Sequence, residues 1–503
     1  MVELLPAGRG LRVAQPRAQL DERTLQKHDA AIVVCSRERA ETVLGQLPFA
    51  PIWRRLYRDA RSRGPVSLLS ARVAPDAIPV VIAFAKSTAS AFERLMLGAQ
   101  AWKALAAPSR ARILLATCGL EDEKTSLAAL EAVLAAALAA TAPMPVMKSK
   151  QWKRPAPASF TLLNEGSQLD TARTLAVDRG NHLARWLTAL PPNVLNSSGY
   201  RRALRDLARR SGWQFDFLDE AALHRRGAGA FLAVARANQQ RDAGIVRLRY
   251  KAPQRRNTRK LALVGKGICF DTGGINLKSH KSMYDMHTDM QGSAVAVGTM
   301  LALSELRASY DIDCWLAITE NEIGARAFRP QEVVRAANGV TIQVAHSDAE
   351  GRMVLADTLA LAARESPKLM IDFATLTGAC VNALTERYSG AFTNRPQWHE
   401  AIRDAGRSSG ERIWPFPMDE DYDTDLESAI ADVLQCTPDS KGDHILAARF
   451  LNRFVPAEVP WIHIDLASSN RNGGLGHVPT DITGFGVRYT VELLANGQLL
   501  ANS

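Results

Sequence analysis

Two kinds of apolar pattern alternate along this chain: short runs with few polar interruptions, and longer segments whose apolar residues recur every three or four positions. Residues 31–35 (AIVVC), 78–84 (IPVVIAF) and 111–117 (ARILLAT) are of the first kind, and the segments around 38–46, 88–106 and 122–140 are of the second. Strands alternating with helices in this way predict an α/β unit. A helix follows over about 168–189, where Leu169, Ala172, Leu175, Ala176, Leu183, Ala184 and Leu187 keep helical spacing up to Pro191 and Pro192, which cannot continue it. From about 190 the alternation resumes, with strands near 261–268, 312–318, 369–374 and 461–466 and helices near 290–308 and 353–365. These later strands are apolar on both faces, as a sheet covered by helices on each side requires.

The fold class expected is therefore α/β in two units, the second built on a central mixed sheet flanked by helices. A chain of 503 residues exceeds the size at which single cores stop growing, which also favours two domains or more. The stretch 141–160, dense in proline, lysine and small residues, is a natural boundary region. The division expected is a smaller domain over 1–165, a linker helix over 166–190 and a larger domain over 191–503.

Composition narrows the class. Hydrophobic residues make up 47% and charged residues 23%, ordinary for a globular protein and far from disordered or fibrous chains. Cysteines 35, 118, 269, 314, 380 and 436 form no CxxC pair, so a disulfide framework or zinc knuckle is not expected. The start, MVELLPAGRGLRV, lacks the basic end and apolar core of a secretory signal, and the apolar stretch 127–140 is shorter than the roughly 20 residues of a membrane span. A cytoplasmic, reducing location is expected, with no membrane contact.

The net charge of +10 is uneven: residues 1–170 hold 23 Lys+Arg against 15 Asp+Glu, a surplus of 8. Within that third, residues 53–63 interleave Arg54, Arg55, Arg58, Arg61 and Arg63 with Trp53 and Tyr57, a composition compatible with phosphate contacts. A solvated arginine-rich helix face is the favoured reading, and nucleic-acid binding through this domain is the less favoured one.

Two acidic stretches carry the chemistry. The segment 263–294 (LVGKGICFDTGGINLKSHKSMYDMHTDMQGSA) places Lys266, Asp271, Lys278, Asp285 and Asp289 directly after a buried strand, where open α/β sheets bind ligands. Its glycines match neither GxxxxGK[ST] nor GxGxxG, and its acids repel phosphate unless metals intervene. The segment 344–363 sets Asp348, Glu350 and Arg352 with one residue between each, immediately before a helix that reads as buried. If the two stretches face each other, Asp271, Asp289, Asp348 and Glu350 supply four carboxylates, enough to flank two divalent cations whose +4 charge balances their −4. Lys266 becomes a ligand only if burial beside two cations strips its proton; the alternative is that Lys266 and Lys278 simply pair with Asp271 and Asp289.

At this point a resemblance becomes specific. VGKGICFDTGG, NLK, TDMQGSA, ENEIGARAFRP, DAEGRMVLADTL and DFATLTGAC resemble, in order and spacing, the signature blocks of the leucyl aminopeptidase family, the M17 dinuclear metallopeptidases. The resemblance spans about 180–490, with weaker support from ALPPNVLN (189–196) and WIHIDLA (461–467); the first 170 residues are similar only in α/β character and position. It implies that Asp271 and Glu350 bridge two metals, that Lys266 and Asp289 complete one site and Asp348 the other, that Lys278 polarises the scissile carbonyl, and that Arg352 holds a bicarbonate ion acting as general base. Met286, Thr375, Leu376, Gly378 and Ala467 are implied in substrate binding, and Asp285 has no assignment beyond capping or surface. The implied activity is metal-dependent hydrolysis of the N-terminal peptide bond, with preference for leucine-like residues, by a hydroxide bridging two divalent cations. The substrate's free α-amine can ligate one metal, which an internal peptide nitrogen cannot do. Mn2+ or Zn2+ is the expected metal, though a carboxylate-rich site with one amine also suits Co2+ and Mg2+, and a homohexamer is implied.

The chain departs from the family pattern beside the site: His346 and Ser347 stand in place of Asn-Thr, Asn276 and Ser279 flank Lys278, Glu322-Ile323 replace Met-Pro, and Asp443 and His444 replace a small, glycine-rich run. For His346 a ring hydrogen-bonded to nearby backbone is favoured over a substrate contact. A DNA-binding role for the basic domain and a dinuclear phosphohydrolase remain the competing readings.

Overall fold

The computed structural model describes residues 3–73, 77–107, 110–150, 159–253, 260–439, 441–495 and 498–501. Of the expected boundary stretch 141–160, residues 151–158 lie outside the described residues.

The first sheet orders its six strands Arg12–Ala14, Ser159–Leu163, Arg112–Cys118, Ala30–Ser36, Ile78–Ala85 and Leu68–Val73, all parallel except the last. Apolar clusters cover both of its faces. Helix Glu123–Thr141 is long and apolar enough, by length and composition, to cross a membrane. It packs instead on helix Ala91–Ala104 and strand Arg112–Cys118, its apolar side chains buried in the protein. The arginine-rich stretch forms helix Ala50–Arg61. Its aromatics do not share the arginine face: Trp53 is 1% exposed with its indole N–H donating to the Pro48 carbonyl, and the Tyr57 ring rests against Phe84. Arg54, Arg55, Arg58, Arg61 and Arg63 are exposed.

The second sheet has eight strands in the order Ile413–Pro415, Ser389–Thr393, Trp461–Asp465, Leu369–Ala374, Lys260–Asp271, Asp311–Asn321, Gly244–Tyr250 and Gln214–Asp219. The central four run parallel, Ser389–Thr393, Ile413–Pro415 and Gly244–Tyr250 run antiparallel to them, and Gln214–Asp219 reverses again, which makes the sheet mixed. One face is covered by helix Gln291–Glu305, on which the expected linker helix, Thr171–Thr188, is packed; the other is covered by helix Glu350–Ala363. Parallel strands buried on both sides explain why these runs are apolar on both faces rather than at alternate positions. A further small sheet, Val333–Arg335, Thr341–Gln343 and Val433–Leu434, lies beside it. Leu5, near the start of the chain, belongs to the core of the second sheet rather than the first, and Arg9 pairs with Asp178 of the linker helix.

Candidate metal centre

Strand Lys260–Asp271 carries Lys266 within its length and Asp271 at its carboxyl end. The chain then reverses through Gly273 and Gly274, at φ +85° and +64°, a region glycine enters without cost. A Cβ on Gly273 would also lie 2.5 Å from the Asn276 carbonyl and 2.9 Å from Asp348 Oδ1, so the turn must be bare to let the facing loop approach. That loop brings Asp348 and, as the first residue of helix Glu350–Ala363, Glu350. One oxygen each from Asp271, Asp348 and Glu350 fall within 4.8 Å of one another. The two distant acidic stretches therefore meet.

The lysines stand between the acids. Lys266 Nζ lies 2.8 Å from Asp289 and 3.0 Å from Glu350, and donates to the Thr375 carbonyl at 3.0 Å. Lys278 Nζ lies 2.9 Å from Asp271 and 2.6 Å from Asp348. Lys266 thus pairs with Asp289, whereas the Asp271 partner is Lys278. Helix Glu350–Ala363 can press against Lys266 only because residue 351 is glycine: a Cβ there would be 2.6 Å from Lys266 Cε.

Four carboxylates against two ammonium groups leave two negative charges in a buried cluster. The acids register the deficit. Burial, then repulsion from Glu350 and Asp289, pushes Asp271 up to about 8, and burial raises Asp289 to about 6. Burial also raises Asp348, whereas at Glu350 the neighbouring Lys266 and Lys278 outweigh burial and lower it. Burial alone would lower both lysines; the surrounding carboxylates overcome it and hold them above their ordinary value. A cluster of hard oxygen donors that lacks positive charge is the donor set divalent cations take up, and one amine among them fits Mn2+ or Zn2+ as well.

Uncharged residues fix the geometry. Asn321, at the carboxyl end of the neighbouring strand, donates from Nδ2 to Asp271 Oδ1 at 2.8 Å and to the Ser347 carbonyl at 3.1 Å. The Ser347 hydroxyl donates to the Gly273 carbonyl at 2.6 Å and accepts from the Asn276 N–H at 2.8 Å. Gln435 accepts from the N–H groups of Ala345 and His346, both at 2.9 Å, and donates to the Ala349 carbonyl. His346 Nδ1 accepts from the Asp348 N–H at 3.2 Å, the backbone contact favoured from sequence. Sequence reasoning singled out neither Asn321 nor Gln435, since a lone amide carries no pattern; Asn321 does fall inside the ENEIGARAFRP block.

Arg352 departs from expectation. Its guanidinium is not open to an external anion on the Nη2 side, because both Asp443 oxygens sit there at 2.7 and 2.8 Å, and Nη1 donates to the Gln435 carbonyl at 3.1 Å. The arginine expected to hold bicarbonate is therefore engaged by a side chain, the one that replaces a small residue of the family pattern.

Of the expected substrate contacts, Thr375 is tied to the cluster, its hydroxyl donating to Asp289 Oδ1 at 2.8 Å. Leu376 and Ala467 are brought together at the carboxyl ends of adjacent strands, through the Leu376 N–H on Asp465 and the Leu466 N–H on the Ala374 carbonyl. Gly378 opens helix Gly378–Leu384 with free space where a side chain would be. Met286 lies on the short turn Met286–Thr288 leading into Asp289, and Asn470 links that turn to the Ala467 segment by donating to Thr288. Asp285 is exposed, its carbonyl accepting from the Thr288 N–H and hydroxyl.

Known proteins resemble this chain in sequence and in fold. The sequence model of the cytosol aminopeptidase family catalytic domain (Peptidase M17) matches residues 182–491. A probable cytosol aminopeptidase from Synechococcus sp. strain RCC307 is 40% identical over 343 residues, 67% of this chain and 68% of the relative. Among solved structures, a tomato leucine aminopeptidase mutant superposes with a TM-score of 0.83 at 26% identity, covering 98% of both chains. The bottromycin maturation enzyme BotP in complex with Mn gives 0.77 at 28% identity over 94% of this chain and 99% of that one.

Proposed function

We propose a function from one premise: the chain belongs to the cytosol aminopeptidase family. It is a metal-dependent aminopeptidase, a metallo-exopeptidase acting on peptides. The finer reading is that it removes the N-terminal residue with two divalent cations held by Lys266, Asp271, Asp289, Asp348 and Glu350. The observation that carries this is the meeting of Asp271, Asp348 and Glu350 within 4.8 Å in a cluster short of positive charge. When bound, two such cations supply Lewis acidity at the carbonyl and a hydroxide nucleophile near neutral pH.

The chain's own residues do the rest. Lys278 places an ammonium where charge develops on the carbonyl oxygen, ahead of the reaction and at little reorganisation cost. Asn321 and Ser347 hold the two loops in register, so the acids keep their separation. The first side chain of the peptide lies against Met286, Leu376 and Ala467, and the apolar character of these residues supports a leucine-like preference. The open space over Gly378 leaves backbone accessible to the substrate. Mn2+ or Zn2+ as the metal, a homohexameric assembly, a cytoplasmic location and the division into 1–165, 166–190 and 191–503 belong to the same reading.

A panel of aminoacyl-anilides, assayed after chelation and re-addition of single metals, tests it. Activity is expected to vanish on chelation, to return with Mn2+ or Zn2+, and to be highest for leucine-like residues. Hydrolysis indifferent to chelation would remove the metal reading; cleavage of phosphoesters in its place would favour a dinuclear phosphohydrolase.

A further inference from the structure

Hydrolysis of an amide needs a group that accepts a proton from the attacking water and later supplies one to the departing amine. Asp271, Asp289, Asp348 and Glu350 are committed to the charge balance of the cluster. One further carboxylate is held by the helix that carries Glu350. Asp443 is the first residue of helix Asp443–Asn452, entered through Gly442 at φ +61°. Both of its oxygens face Nη2 of Arg352, whose backbone lies two residues beyond Glu350 on the helix that carries the cluster.

The two partners differ in exposure. Arg352 is held at 2% and anchored a second time by the Gln435 carbonyl, whereas the Asp443 side chain keeps 18%. The buried cation is thus immobile, and the acid it holds retains an open side. The following residue keeps the helix start in place, the His444 ring packing edge-on against Phe416 at 4.6 Å. A carboxylate whose two oxygens both accept from one buried guanidinium nitrogen has its orientation settled before substrate arrives.

We infer that Asp443 is a catalytic residue of this enzyme, the carboxylate that carries the proton from the attacking water to the departing amine. The inference rests on the aminopeptidase reading and adds to it. In the first step a water O–H bond breaks, an O–H bond forms on Asp443, the water oxygen bonds to the carbonyl carbon, and the C=O π pair moves onto the carbonyl oxygen. In the second that pair re-forms the C=O bond, the C–N bond breaks with its electrons going to nitrogen, the Asp443 proton passes to that nitrogen, and the Asp443 carboxylate is regenerated. The products are the free amino acid and the shortened peptide, and no external anion at Arg352 is consumed or required.

The test compares the full-length wild type, Asp443→Asn and Asp443→Gly, each loaded with Mn2+, on a leucyl dipeptide and a leucyl anilide in bicarbonate-free buffer, then with bicarbonate or formate added. The wild type is expected to be indifferent to either anion. Both variants should lose about 10²–10⁴-fold in kcat with KM within a few-fold. Asp443→Gly should recover in proportion to added anion, because the vacated space in front of Arg352 admits a small carboxylate; Asp443→Asn, whose amide fills that space, should not. A wild type stimulated by bicarbonate with Asp443→Asn at full kcat overturns the proposal. So does an inactive Asp443→Gly that retains wild-type melting behaviour and metal content yet answers to neither anion. A wild type that cleaves neither substrate with any metal fails the aminopeptidase reading itself, which is a separate result.

Discussion

At the carboxyl ends of the strands of the first sheet, the Thr117 hydroxyl donates to Asn164 Oδ1 at 2.7 Å and the Ser126 hydroxyl donates to Thr117 at 2.7 Å. At the corresponding ends of the second, Lys278 spans Asp271 and Asp348 while Lys266 spans Asp289 and Glu350. Both sheets are largely parallel at their centres, covered by helices and apolar on both faces. Among the described residues of the first 165, the buried polar side chains are Ser36, Thr117 and Ser126, and none is charged. Architecture alone makes no reactive centre; the same strand ends become one only where unbalanced charge is buried there.

The contrast is sharpest on turnover. Asp271→Ala or Glu350→Ala is expected to reduce kcat/KM by roughly 10³-fold or more, with bound metal lost in step when measured by elemental analysis. Lys278→Ala should lower kcat by about 10²–10³-fold and leave KM nearly unchanged, the signature of a group acting on developing charge; a change confined to KM would move Lys278 to ground-state binding. In the first unit the largest substitution should leave turnover alone. Trp53→Ala empties a fully buried site and is expected to cost about 3–5 kcal/mol in urea unfolding, with kcat unchanged for folded enzyme. Loss of kcat in proportion would show that the two units are coupled.

The smallest effect concerns pH. Glu411, packed in the second unit, accepts the N–H groups of Gly486 and Tyr489 on a single oxygen, yet burial pushes it up to about 7. The folded value lies above the ordinary carboxylate range, so the folded chain holds the proton more tightly than the unfolded one. The stabilising contribution is whole below about pH 4.5 and is lost as pH rises through about 7, up to about 3 kcal/mol. Glu411→Gln keeps an oxygen for both donors and should flatten the fall in melting temperature between pH 5 and pH 8. An unchanged slope would place the titration elsewhere.

Much of the second unit is readable from its pattern. Strand Leu369–Ala374 coincides with the expected 369–374, since a strand buried on both faces is apolar at consecutive positions, broken here only by Asp372. Val333–Arg335, Thr341–Gln343 and Val433–Leu434 leave no such trace: they are three residues long or fewer, and one partner comes from about ninety residues away. The acids of the site announce themselves by type and spacing, but not their pairing. Pairing Lys266 and Lys278 with Asp271 and Asp289 alone overlooks Glu350 and Asp348, which only the folded sheet brings within reach. Asp443 is visible as a departure from a family pattern; that its carboxylate lands on Arg352, 91 positions earlier, depends on the tertiary path of two helices. Trp53 shows the opposite error of scale, for a residue interleaved with arginines in sequence is turned off their exposed face and into the core.

Leu5 lies in the core of the second sheet, whose other members run from Val177 to Leu500. At roughly 5–20 residues per second, a ribosome delivers this leucine about nine seconds or more before the nearest of those partners and about 25 seconds or more before the last. The opening segment must wait, undocked, while the first sheet assembles beside it, and it then closes the chain like a clasp.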